Sequence, residues 1–78
     1  MPNPIYNTEE AVKARLAAIS GQLDEEELMR IAITTGDSIY TVKRYINKLE
    51  VKKIPTGNKI AEAGEVILAK RREAVQAA

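Results

Sequence analysis

Residues 36–53 read GDSIYTVKRYINKLEVKK, and the way this stretch folds decides the architecture of the chain. Wound as a helix from about Ser38 to Glu50, it places Ile39, Val42, Ile46 and Leu49 on one apolar stripe. Tyr40, Lys43, Arg44, Asn47 and Lys48 fall on the far side. One face requires a core. The other carries cations, an amide and a phenol, and is the first candidate for recognising something. Tyr45 lies at the border of the stripe and reads as core edge.

Upstream, residues 24–35 carry the marks of a helix start. Asp24 is the expected cap, and Glu27 at the third helical position completes a capping box. Leu23 and Leu28 are spaced as a hydrophobic staple, and Leu28, Ile31, Ala32 and Thr35 continue the inward face. Glu25, Glu26 and Glu27 read as solvated acids that favour the helix dipole. They do not read as an acid–base pair, because adjacent helical residues point in different directions. Only Thr35-Gly36-Asp37-Ser38 separates this helix from the next, with Asp37 or Ser38 as the second cap. Two amphipathic helices joined by so tight a glycine turn form a helix-turn-helix. The internal spacing agrees: Ala32 is small where the helices cross, Gly36 turns the chain, and Val42 packs the second helix onto the first.

The stretch Thr41-Val42-Lys43-Arg44-Tyr45-Ile46-Asn47-Lys48-Leu49-Glu50 resembles the recognition helices of winged helix-turn-helix regulators such as the GntR and MarR families, whose pattern is approximately T-V-x-R-x-L-x-x-L-E followed by a β-hairpin wing. The resemblance covers residues 24–61. Asp37 stands where that pattern is usually apolar, with Ile39 as the expected replacement contact, and the glycine common near position 53 is a lysine here. The resemblance implies a helix that enters the DNA major groove and a wing that touches backbone or minor groove. Ser38, Tyr40, Thr41, Lys43, Arg44, Asn47 and Lys48 would then face bases or phosphates, and Lys52, Lys53 and Lys59 would sit on the wing. Residue chemistry agrees independently. A guanidinium such as Arg44 matches guanine O6 and N7, an amide such as Asn47 matches adenine N6 and N7, and lysines serve as phosphate contacts.

Charge is segregated along the chain although the net charge is only +1. Residues 1–42 hold three basic groups against seven acidic ones, residues 43–59 hold six against one, and residues 60–78 balance at three each. Segregation of this kind gives a surface an electrostatic direction.

The remaining elements follow from local pattern. Residues 1–6 contain two prolines and read as an arm. Asn7 or Thr8 caps a first helix whose stripe is Val12, Leu16 and Ile19, and Ser20-Gly21 ends it. Val51-Lys52-Lys53-Ile54 alternates like a strand, Pro55-Thr56-Gly57-Asn58 is turn chemistry, and Lys59-Ile60-Ala61 is the return strand. A fourth helix is expected over 62–78, with Ile60, Ala63, Ile67, Ala74 and Ala78 near one line and Lys70-Arg71-Arg72 as a solvated end. This helix either folds back onto the core or pairs with a symmetry mate, and the second alternative is favoured. The expectation is therefore one mainly α domain over 1–78: a winged helix-turn-helix with a three-helix core, a helix-turn-helix at 24–50, a short β-hairpin wing at 51–61 and a C-terminal helix.

Composition narrows the function. With 78 residues and no Phe or Trp, the core must be small and aliphatic. The absence of Cys and His excludes thiolate and imidazole metal sites, cysteine nucleophiles and histidine acid–base chemistry. No nucleophile–base pair or phosphate loop is visible, so an enzyme is not expected. Nor is a cofactor or small-molecule effector. No apolar run reaches the ~18 residues of a membrane span, and Met1-Pro2-Asn3-Pro4 lacks the features of a signal peptide, which points to a soluble cytoplasmic protein with no membrane partner. The expected function is sequence-specific binding of double-stranded DNA, as a repressor-like transcriptional regulator and homodimer through the C-terminal helix. The alternative is a winged-helix interaction or architectural module that presents the same basic face to an acidic partner.

Overall fold

The computed structural model describes residues 8–77, with side chains through Ala74. Over that range it comprises α1 (Glu9–Ile19), α2 (Glu25–Thr35), α3 (Ile39–Asn47) and α4 (Ile54–Ala77). The expected arm at 1–6 lies outside the described residues. Among those residues no helix is long and apolar enough to cross a membrane.

The first three helices begin where their capping residues dictate. The Thr8 hydroxyl accepts from Ala11 N–H at 3.1 Å, and Glu9 and Glu10 occupy the first turn of α1. Both halves of the capping box at α2 are formed: Asp24 Oδ1 accepts from Glu27 N–H at 2.8 Å, and Glu27 Oε1 accepts from Asp24 N–H at 3.0 Å. Gly36 ends α2 at φ +80°, a left-handed conformation that glycine adopts without steric cost, and its N–H returns to Ala32 O at 2.9 Å. Ser38 Oγ then accepts from Thr41 N–H at 3.1 Å and starts α3.

The third helix stops at Asn47, one turn earlier than expected. Leu49 sits at φ +55°, and Glu50 N–H returns to Arg44 O at 3.2 Å. A left-handed leucine costs about 1–2 kcal/mol. Packing of the Leu49 side chain against the core offsets that cost.

The β-hairpin wing expected at 51–61 is absent: the described residues contain no strand, and Ile54 already begins α4. The turn residues of Pro55-Thr56-Gly57-Asn58 serve a helix start instead. Pro55 is the second helical residue, where a backbone N–H would have no partner within the helix, so its missing donor costs little. Gly57 N–H opens the helical ladder by donating to Lys53 O at 3.0 Å. Gly57 is also buried against α1, and a Cβ built there would lie 2.5 Å from Val12 Cγ1. Two turns later Gly64 is buried as well, with a hypothetical Cβ 2.5 Å from Ile19 Cδ1. Glycine at these positions serves close helix approach, not a reversal of the chain.

α4 packs against α1, α2 and α3 and completes the core of the single chain. The core consists of Val12, Leu16, Ile19, Leu28, Ile31, Ala32, Val42, Tyr45, Ile46, Ile60, Ala61 and Leu68, flanked by Leu23, Ile39 and others. Docking through the glycines turns α4 away from the expected line. Ile60 is buried as anticipated, but Ala63 and Ile67 are half-buried, Ala74 is exposed, and Ala78 lies outside the described residues.

Two polar ties fix α4 further. The Arg15 guanidinium grips Glu65 with Nε and Nη2 each at 2.8 Å and donates to Asn58 Oδ1 at 3.3 Å, in a part-buried fork between α1 and α4. Arg71 donates to Gln22 O at 3.0 Å and pairs with the Glu27 carboxylate. Arg71 is therefore a tether to α2, in contrast to the solvated end expected for Lys70-Arg71-Arg72. The Arg71 hydrogen bond, followed by that from Asp24 N–H, holds the Glu27 carboxyl below its ordinary range.

Alanine in place of helical glycine normally gains about 1 kcal/mol of propensity, yet Gly57→Ala should lose about 1–2 kcal/mol net in urea unfolding, because Val12 is a stiff, fully buried β-branched side chain. Gly64→Ala should lose less, since Ile19 Cδ1 is the free end of a longer side chain. A depressed folded-state pKa at Glu27 contributes stability above its unfolded value of about 4.3, and that contribution disappears as pH falls through the lower folded value. Glu27→Gln should lower stability at neutral pH and flatten the acid limb of the stability profile.

Candidate functional site

The outer side of α3 is built by what its inner side must bury. Val42, Tyr45 and Ile46 are buried, which turns Tyr40, Arg44 and Asn47 outward. Tyr40 is 78% exposed, an unusual position for an aromatic ring with no core to serve. Lys48 caps the C-terminus of α3, where a cation also suits the helix dipole, and is exposed.

The link from α3 to α4 brings two more cations to this side. Tyr45 Oη accepts from Lys53 N–H at 3.0 Å, so a core residue of α3 holds the backbone of the link. Arg44, Lys52 and Lys53 then surround a shallow depression of about 240 Å³ together with Thr41, Tyr45, Thr56 and a single acid, Asp37. The arrangement can present several N–H donors to an anionic strand while the floor stays rigid.

Several predicted site residues have partners of their own, and some, unlike Thr41 and Arg44, do not line the depression. Ser38 and Thr41 are engaged with each other at the α3 cap, their hydroxyls 3.0 Å apart. Lys43 Nζ pairs with Glu25 Oε2 at 2.6 Å, and Arg44 Nε lies 3.6 Å from Glu50 Oε2. Lys48, Lys52 and Lys53 make no ion pair among the described residues. Lys59 is separated from its expected wing partners. It lies on α4, in a groove shared with Arg30 and Lys70, because the segment meant to return as a strand is helical.

Sequence reading did not identify Glu25 and Glu50 as partners of the basic face, nor Thr56 as part of its depression. Glu25 is far from Lys43 in sequence, and Glu50 lies beyond the end of α3, so no helical spacing connects either pair. Both pairs are partly exposed and of the class worth roughly 0–1 kcal/mol, weak enough to exchange for a stronger anionic partner.

Comparison of the chain with protein-family models, with characterised proteins and with solved structures returns no match.

The Tyr45 anchor is directly testable. Tyr45→Phe keeps the buried ring and removes the acceptor of Lys53 N–H, so stability should fall by about 1 kcal/mol. Hydrogen exchange at the Lys53 amide should accelerate beyond the change at core amides of α2.

Proposed function

We propose that the chain is a helix-turn-helix protein that binds double-stranded DNA through the outer face of α3, as a repressor-like transcriptional regulator. The observation that carries this reading is the grouping of exposed Tyr40, Arg44, Asn47, Lys48, Lys52 and Lys53 on and beside one helix whose opposite face is locked into the core. The short turn at Gly36–Ser38 between α2 and α3 supports the same assignment, since it is the connection of a helix-turn-helix and leaves Tyr40 exposed in the first turn of α3. In this reading Arg44 and Asn47 address base edges, and Lys48, Lys52 and Lys53 address phosphates. The role the sequence assigned to a wing passes to the α3–α4 link. Lys59 is set back from this surface.

Acid on the same side sets the terms of binding. The Glu25–Lys43 and Glu50–Arg44 pairs must open or shift as phosphates approach, so the protein carries a built-in competitor for its own cations. That the face already holds carboxylates favours one second reading, in which its partner is an acidic protein segment.

Anisotropy titrations of a random duplex and of an acidic peptide, each at two salt concentrations, separate the readings. DNA binding predicts a steep logarithmic loss of affinity with salt, and Lys52→Ala with Lys53→Ala should reduce the slope by about 0.9 for each phosphate contact removed. Glu25→Gln should tighten DNA binding. Arg44→Ala should weaken it by about 1–3 kcal/mol on a preferred sequence if Arg44 reads a base. Preference for the peptide, with no salt-dependent binding of duplex, would replace the DNA reading.

A further inference from the structure

Six of the seven charges on α4 fall into two sets, and exposed Arg72 stands off both. Glu65 and Arg71 point into the chain, to Arg15 and Glu27. Lys59, Glu62, Lys70 and Glu73 are exposed and make no ion pair among the described residues. With the helical repeat of about 3.6 residues, these four share one outward stripe with Ala63, Val66 and Ala69. The stripe lies opposite the face carrying Gly57, Ala61, Gly64 and Leu68, which is buried. At its centre Val66 is 46% exposed.

The order along the stripe is plus, minus, apolar, plus, minus, and it is antisymmetric about Val66. We propose that this stripe is a self-association surface, on which a second copy of the chain lays its own α4 antiparallel, with the two helices crossing at Val66. A two-fold axis through Val66 places Lys59 opposite the second copy's Glu73, Glu62 opposite its Lys70, Ala63 opposite its Ala69, and Val66 opposite its Val66, and then repeats each pair. A parallel, in-register pairing would instead oppose Lys59 to Lys59, Glu62 to Glu62 and Lys70 to Lys70. Charge therefore selects the antiparallel orientation, and antiparallel helix dipoles agree with it.

Shape is compatible with this arrangement. Alanines flank Val66 on the contact line and allow close approach of the two helices. The stripe itself, through Lys59, Glu62, half-buried Ala63, Val66 and Lys70, forms the α4 wall of a groove of about 590 Å³ whose α2 wall is Arg30, Thr34 and Thr35 and which no residue of α3 lines. One helix pair is a small interface, so the association is concentration-dependent rather than obligate. It leaves the α3 face open and does not depend on what α3 binds.

Sedimentation equilibrium of the full chain tests the proposal. Wild-type chain should show a monomer–dimer equilibrium. Glu62→Lys should raise the dimer dissociation constant about tenfold or more, because symmetry turns two attractions into two repulsions, and Lys70→Glu should do the same. An equimolar mixture of the two variants restores attraction at both positions and should form a heterodimer of wild-type affinity. That recovery also shows that each variant is folded. The proposal is overturned by wild-type chain that stays monomeric to about 1 mM. It is equally overturned by a dimer indifferent to either reversal, or by variants that fail to recover on mixing.

Discussion

The burial of Val42 is the constraint from which the rest of the structure follows. Val42 is fully buried on the inner side of α3, alongside Ala32 from α2, and Gly36 supplies the left-handed turn that lets α3 reach this position. Once Val42, Tyr45 and Ile46 face inward, helical geometry leaves no freedom for the other side. Tyr40, Arg44 and Asn47 must face out. The candidate interface is thus a consequence of core packing and requires no separate device to present it.

α4 completes that arrangement by packing on the other three helices. A chain of 78 residues with aliphatic core side chains has little apolar area to bury, and three helices alone leave one side of the core uncovered. α4 closes it by approaching α1 at Gly57 and Gly64, and the Arg15–Glu65 and Arg71–Glu27 ties fix its two halves to α1 and α2. Tyr45 links the two roles. Its ring belongs to the core, and its hydroxyl holds the link on which Lys52 and Lys53 stand.

Local chemistry was readable where it acts alone. The Asp24–Glu27 capping box, the glycine stop at Gly36 and the Val12–Leu16–Ile19 stripe are each specified within a few residues and each forms as expected, and of the two cap candidates Asp37 and Ser38 it is Ser38 that starts α3. In the segment Val51–Ala61 the local signals are ambiguous. Alternation in Val51-Lys52-Lys53-Ile54 imitates a strand, and Pro55 with Gly57 imitates a hairpin turn. Only the distant Val12, which leaves no room for a Cβ at position 57, explains that glycine inside a helix. The same limit applies to the basic face. Its exposed members were legible from helical period, whereas the Lys43–Glu25 and Arg44–Glu50 pairs arise from tertiary neighbours. The left-handed Leu49, which shortens α3, had no sequence mark at all.

The proposed function amounts to an electrostatic competition on a helical scaffold. The core sets where the cations stand and Glu25 and Glu50 pair with two of them, so under the proposed function an incoming polyanion would have to outcompete those carboxylates. The most direct measurement is a backbone amide chemical-shift titration of the chain with duplex DNA. If α3 carries the interface, the largest shifts map to Tyr40, Arg44, Asn47, Lys52 and Lys53, with the exposed Ala14, Ala17 and Ala18 of α1 unmoved. Unchanged α3 amides at saturating duplex, or shifts confined to α1 and α4, would contradict it.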